Sequence, residues 1–307
     1  MRIAKRRRIY NEALNPFFGY FYTIKKTLKK AATKYQKIEL VQTDEFGKVL
    51  LLDDITQVAE KNDFMYHEPM VHPALICHPK PENILVIGGG DGGILREVLK
   101  YPVVKRVELA ELDDGVVKFS KKYLGTVHDN CFDDPRVNVN IVDGRKFTEE
   151  HPGEFDVVIM DMTDPFGPSK LLYTKEFYRI IKKSFRNRAG MFVMHSESPV
   201  SRPLAFSSIY HTLSSVFENV NPLYMYIQMY AVLWSVCVAS EQTDISAVKA
   251  SVLQKKIARY GLKNLKMFNA KTHQAMLVPF PYISEILTEP GRIITDAKPD
   301  FPDNFIS

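Results

Sequence analysis

At 307 residues, with 45% hydrophobic and 25% charged side chains, the chain has the composition of a globular protein large enough for two domains or one large one. No apolar run is long enough to cross a membrane, and Asn11, Glu12, Asn15 and Pro16 interrupt the basic start where a signal peptide needs an apolar stretch. Cys77, Cys131 and Cys237 are odd in number and widely spaced, which argues against a disulfide framework or a metal knuckle and for reduced core thiols in a cytoplasmic protein.

The net charge of +5 is concentrated at the start, where residues 1–37 hold many Lys and Arg against a single acid, Glu12. The run Lys5-Arg6-Arg7-Arg8 suits an anionic surface, but it suits a solvated, frayed terminus as well. Fraying is the expectation, with neither nucleic acid nor membrane as a partner. Residues 36–60 then read as a β-meander: "QKIELVQT", a turn at Asp44-Glu45-Phe46-Gly47, "KVLLLDD" and "ITQVAE". "FMYHEPMVHPALICH" reads as one helix broken by Pro69 and Pro73. From residue 83 strands and helices alternate. Strands are expected at 84–88, 106–112, 137–142, 156–160 and 190–195, and helices at 92–101, 114–124, 171–185 and 203–217. Such alternation implies an α/β fold with a parallel sheet covered on both faces. "PLYMYIQMY" and "LWSVCVAS" fit an antiparallel pair closing that sheet.

Ligands of such sheets bind at the carboxyl ends of the strands, and here those ends are acidic. The first strand runs into "IGGGDGG", where Gly88, Gly90 and Gly93 have the G-x-G-x-x-G spacing of a nucleotide loop but Asp91 stands where a phosphate would lie. The next four strands end at Glu111, at Asp143-Gly144, at Asp161 with Asp164 close behind, and near Glu197. Single acids at strand ends serve as helix caps; five on one rim repel one another and call for a positive ligand. Glu111, roughly twenty residues past the loop, is placed to accept ribose hydroxyls. Asp91 speaks against a pyrophosphate and for a sulfonium such as S-adenosylmethionine or a relative. The surplus acids imply a second cationic substrate. An alkylamine, with a pKa of about 10.4, must lose a proton before it can attack. One carboxylate can hold a remote ammonium while another takes that proton. The eight His residues show no ligand spacing, so no metal is expected.

"ILVIGGGDGGILREVLKY", "VELAELDDGVVKF", "DDPRVNVNIVDGRKF" and "FDVVIMDMTDPFGPSKLLYTKEFY" resemble the polyamine aminopropyltransferases, the spermidine and spermine synthase family, as do "TKYQKIEL", "EFGKVLLLDD" and "YHE" upstream. The resemblance spans about residues 33–240. It implies a small N-terminal β-stranded domain, drawn here at 1–80, followed by a Rossmann-like, S-adenosylmethionine-type catalytic domain at 81–307. It also implies decarboxylated S-adenosylmethionine as co-substrate with no prosthetic group, methylthioadenosine as by-product, and a homodimer or homotetramer. Carried over by position, Gln36 and Glu111 resemble the contacts to the donor's ribose and neighbouring atoms. Asp143 and Gly144 resemble the adenine-edge contact, with Pro168 on the adenine pocket. Asp91 resembles the residue holding the aminopropyl group or the acceptor amine. Asp161 takes the place of the general base, with Asp164, Tyr66 and His67 around the acceptor and Gln57, Glu197 and Tyr230 lining the same cavity.

Diamine-using members carry a "PTYPSG"-like segment over the acceptor pocket; here "IQMYAVLWS" stands there, as in the thermospermine-synthase branch, while Asp91 departs from that branch. Putrescine is the expected acceptor, with spermidine or agmatine as the longer alternative and Met229, Trp234 and Glu197 as the groups to receive it. A methyltransferase and a non-catalytic binding protein are the alternatives of another class.

Overall fold

The computed structural model describes residues 7–163, 167–289 and 291–301, and of Gly167 and Pro168 only the backbone. Five antiparallel strands come first and pair in chain order: β1 (Arg8–Asn15), β2 (Phe18–Ala32), β3 (Lys37–Thr43), β4 (Lys48–Leu52) and β5 (Ile55–Ala59). The meander is therefore preceded by a long hairpin where a frayed terminus was expected. Lys5 and Arg6 lie outside the described residues, but Arg7 already pairs with Asp44 at 2.8 Å and Arg8 with Glu39 at 3.1 Å. Lys25 and Lys30 reach the same two acids. Tyr22 and Ile24 turn inward from β2 and are buried, so period-two alternation organises the basic segment.

Helix α1 (Phe64–Cys77) follows without interruption, although Pro69 and Pro73 lie inside it. The expected break is absent because every residue from Tyr66 to Cys77 is buried. A proline in a helix interior costs about 3 kcal/mol, while burying one large apolar side chain returns about 1.5–3 kcal/mol, and α1 buries Met70, Val71, Leu75 and Ile76 together. It packs on the second sheet and its first helix. By packing, α1 belongs with the second sheet.

The second sheet comprises β6 (Asn83–Gly88), β7 (Arg106–Glu111), β8 (Val137–Ile141), β9 (Val157–Asp161), β10 (Met191–His195), β11 (Asn219–Ile227) and β12 (Val232–Ser240). Its order is β11-β12-β10-β9-β6-β7-β8, with β8 through β10 parallel and β12 antiparallel to both neighbours. Helices α2 (Gly93–Leu99), α3 (Asp114–Tyr123), α4 (Gly125–His128), α5 (Gly144–Glu150), α6 (Lys175–Ser184) and α7 (Pro203–Ser214) alternate with these strands. Beyond β12 come α8 (Ala250–Tyr260), α9 (Ala270–Met276) and α10 (Pro281–Thr288). Alternate residues of the central strands feed two cores. Ile84, Val86, Val157 and Ile159 join the cluster under α1, while Leu85, Ile87, Val158 and Met160 join the one containing α6. The chain moves outward from β6 to β7 and β8, then returns across β6 to β9. The carboxyl ends of β6 and β9 are therefore the switch point at which such sheets receive ligands.

Candidate active site

Two adjoining chambers open at that switch point, of about 330 and 290 Å³. Gly88–Asp91, Glu111, Asp113, His67 and Asp161 line the first; Glu12, Leu14, Thr56, His195, Arg202 and Trp234 line the second. Gln36, Gln57, Tyr66, Met162, Thr163 and Tyr230 border both. The second chamber thus takes one wall from the N-terminal hairpin and another from the β10–β12 side of the sheet.

The glycine loop fits this place for steric reasons. Gly88 has φ +78°, and a Cβ on it would run into the Asp161 carbonyl. That carbonyl accepts a hydrogen bond from Gly89 N–H at 3.0 Å, which fixes the end of β9 to the loop. Asp91 Oδ1 accepts the N–H of Gly93 at 2.6 Å. A side-chain anion from within the chain therefore occupies the position a phosphate takes in other glycine loops.

Asp161 ends β9 on the wall of the first chamber, and Tyr66, which borders both chambers, donates its hydroxyl proton to Asp161 Oδ1 at 2.8 Å. Burial, reinforced by the negative charge of Asp91, pushes Asp161 up to about 6. His67 lies between two carboxylates, with Nδ1 3.2 Å from Asp63 and Nε2 3.8 Å from Asp91. Burial alone would discharge the imidazole, but these two anions raise it to about 10, so it stays an imidazolium at neutral pH. The imidazolium in turn outweighs the effect of burial on Asp91 and holds that carboxylate below its ordinary range. Two neighbouring carboxylates are thereby driven apart, one a firm anion and the other ready to take a proton, which is the pattern of an assigned acid–base pair. Glu111 is pushed up to about 7, chiefly by burial, with Asp113 adding to it. A ligand that donates hydroxyls would stabilise its charged form.

His67, Asp91 and Asp161 each bring one potential ligand atom within 4.8 Å of the others. They do not suit a metal: both ring nitrogens of His67 face carboxylates, and an imidazolium has no lone pair to give. The acids suit an organic ammonium better.

Of the residues expected from the sequence, Gln36, Gln57, Tyr66, His67, Asp91, Glu111, Asp161 and Tyr230 lie on the walls. Gln36 Nε2 donates to Asp113 at 3.0 Å, and Tyr230 donates its hydroxyl to the Gln57 carbonyl at 3.1 Å. Asp143 caps α5 through the N–H groups of Arg145 and Lys146, and it and Gly144 stand on the rim one strand beyond Glu111, off the chamber walls. Asp164 lies outside the described residues, as does the side chain of Pro168.

Two expectations need correction. Glu197 does not face the second chamber. Its backbone is left-handed, with φ +67°, and its fully buried carboxylate meets Arg202 at 3.2 Å, so that Arg202 is the residue on the wall. Met229 packs in the core, and of the three groups expected to receive a longer amine only Trp234 lines the chamber, stacked on His195 at 5.8 Å. Glu12, Asp113, Arg202 and His195 were not singled out. Glu12 had one signal, as the lone acid of a basic segment; the others acquire their positions only through tertiary packing.

Residues 63–250 match the family model described as the spermine/spermidine synthase domain, and residues 9–60 match the spermidine synthase tetramerisation domain. A polyamine aminopropyltransferase of Nitrosomonas europaea is 37% identical over 287 residues, covering 94% of this chain and 88% of the relative. One from Bacillus subtilis is 34% identical over 279 residues, covering 91% and 98%. Among solved structures, spermidine synthase in complex with the transition-state analogue AdoDATO superposes with a TM-score of 0.85 at 31% identity, covering 94% of this chain and 98% of that one. Thermotoga maritima spermidine synthase gives 0.82 at 30% identity, covering 94% and 97%. The chain belongs to the spermidine and spermine synthase family, the polyamine aminopropyltransferases.

Proposed function

We propose that the first chamber takes decarboxylated S-adenosylmethionine and the second takes putrescine, with Asp161 as the general base between them. What carries this reading is the position of Asp161 on the first chamber's wall, bonded to Tyr66, which borders both chambers, and with a proton affinity raised by burial. Glu111 and Gln36 hold the ribose end of the donor, and Asp143-Gly144 with Pro168 border its adenine. Asp91 faces the aminopropyl ammonium or the reacting amine, and Asp164 assists Asp161 around the acceptor. Asp161 removes a proton from the acceptor ammonium. The freed lone pair forms the new C–N bond as the C–S bond breaks, and that bond's electron pair returns to sulfur to give neutral methylthioadenosine. A buried carboxylate can deprotonate an amine of pKa about 10.4 here because desolvation and the nearby sulfonium both depress the ammonium. The match of residues 9–60 supports a homo-oligomer. No helix among the described residues is long and apolar enough to cross a membrane, and the buried free thiols support a cytoplasmic setting.

A longer acceptor is the second reading. It is favoured by the reach of the second chamber past Tyr230 and Trp234 to Glu12, whose Oε2 also accepts from Thr56 N–H at 3.0 Å. Purified protein incubated with decarboxylated S-adenosylmethionine and putrescine, spermidine or agmatine, with products identified by mass spectrometry, separates the two. Spermidine formed fastest from putrescine supports the first reading; a higher kcat/KM on spermidine or agmatine replaces it with the second. Methyl transfer from S-adenosylmethionine, or no transfer at all, refutes both.

A further inference from the structure

Asp63 precedes α1 where a helix cap normally accepts a bond from the first turn, yet its side chain accepts none there. Its Oδ2 turns instead to His67 Nδ1 at 3.2 Å and to Arg96 Nη1 at 2.7 Å. Arg96, on α2, is held in turn by the Val127 carbonyl at 2.6 Å and by Glu97 at 2.9 Å. Glu97 is buried, and its other oxygen meets His72 and Lys100 at 3.0 and 2.6 Å. From the chamber wall inward the charges therefore alternate: Asp91, His67, Asp63, Arg96, Glu97. Side-chain exposure along the line is 15% at Asp91, 2% at His67, 8% at Asp63, 16% at Arg96 and 1% at Glu97, so every member is largely out of solvent. Buried opposite charges are expensive to assemble and to break, and this line includes the His67 imidazolium on the cavity wall. The His67 ring also lies so close over Gly93 that a Cβ there would strike it, which fixes its plane.

We propose that Asp63 is a positioning residue of the reaction: held in place by Arg96, it keeps His67 a cation against Asp91, and so decides that Asp161, not Asp91, receives the acceptor's proton. The inference rests on the assignment of Asp161 as base. The ionisable groups that face His67 or its partners are Asp63 just before α1, Tyr66 on α1, Asp91 from the glycine loop, Asp161 from β9, Arg96 from α2 by way of Asp63, and the Cys131 thiol beside Asp91 and Arg96. Within that set Asp63 is the only anion that does not touch the reaction cavity, so removing it discharges His67 without altering the cavity wall.

The test is an NMR titration of the His67 ring together with the pH dependence of kcat/KM for the acceptor. In the wild type the ring stays protonated past pH ~9. In Asp63→Asn it titrates in the neutral range, and the ratio of variant to wild-type kcat/KM falls about tenfold between pH ~6.5 and ~8.5, with its midpoint at the ring's own. Arg96→Gln removes a cation that shares the same Asp63 oxygen, so the ring stays charged and its midpoint is no lower than in the wild type. Three results overturn the proposal: a wild-type ring that titrates near neutrality, an Asp63→Asn variant whose ring stays charged, or a loss of activity by one constant factor at every pH. The ring titration needs no turnover, so it judges the proposal even if wild-type protein transfers no aminopropyl group, an outcome that would refute the base assignment instead. If Asp63→Asn does not fold, Asp63→Ser, which also removes the charge, and the wild-type titration decide.

Discussion

At the scale of single residues, the site depends on two carboxylates of the same chemistry behaving differently. As the proposed base, Asp161 would act only as an anion, and its proton affinity is raised to about 6 by burial and by Asp91. Activity should therefore be present above pH 6 and fall as pH drops through it, reporting the free enzyme in kcat/KM. Asp161→Asn should lower kcat by about 10²–10⁴. The sign for stability is opposite. Because the folded protein binds this proton more tightly than the unfolded chain, the group's contribution weakens as pH rises from the ordinary carboxylate value to 6 and stays weakened above it. At pH 8 the asparagine variant should thus melt no lower than wild type, which distinguishes a lost base from a lost fold; a clear drop in Tm with a matching loss of activity would argue for a structural role. Asp91, Glu111 and Asp161 were legible in the sequence because parallel alternation sends every strand end to one rim. Glu197 was misread because a strand end fixes where a residue sits, not where it points, and its left-handed backbone sends the carboxylate to Arg202. Asp63 and Arg96 are 33 positions apart and meet only in the fold.

At the scale of elements, α1 is the hub: it supplies Tyr66 and His67 to the cavity and carries the C-terminal segment on its other side. Glu68, the third residue of the "YHE" motif, points away from the chambers and accepts the N–H groups of Lys266, Met267 and Phe268 at 2.7–2.8 Å. One buried carboxylate thus satisfies three backbone donors and ties the approach to α9 onto α1. Glu68→Ala leaves these donors without their acceptor, at roughly 1–3 kcal/mol for each that stays buried. Urea unfolding should therefore show a loss of about 3 kcal/mol or more; a loss below about 1 kcal/mol would mean that water or repacking replaces the carboxylate. The motif was legible, but the split of roles within it was not, because Tyr66, His67 and Glu68 project to different sides of one buried helix. The unbroken course of α1 through Pro69 and Pro73 and the β1–β2 hairpin were hidden for related reasons. Local signals, two prolines and a basic run, were outweighed by burial against a sheet and by acids that come from other strands.

At the scale of the whole molecule, the same hairpin joins catalysis to assembly. Its inner side carries Glu12 and Leu14 to the second chamber, while Ile9, Phe18 and Phe21 are more than half exposed outside, on an edge of the first sheet. Ile9 pairs with Thr23 and Asn11 with Phe21 in the ladder, so Ile9 and Phe21 fall on one face. Adjacent exposed apolar side chains on the edge hairpin mark a surface that is covered in the working assembly, and residues 9–60 match a tetramerisation domain. Ile9→Glu with Phe21→Glu places two charges on that surface and should dissociate the assembly, read as a lower mass by sedimentation or light scattering at micromolar concentration. Because the hairpin is also a wall of the second chamber, its loosening should raise KM for the acceptor by several-fold, while methylthioadenosine affinity, which the proposed function assigns to the first chamber with Glu111, should change little. An unchanged mass would place the interface elsewhere on the molecule. A changed mass with an unchanged acceptor KM would show that the wall formed by Glu12 and Leu14 holds its shape in the isolated subunit, so that assembly serves stability and not substrate binding.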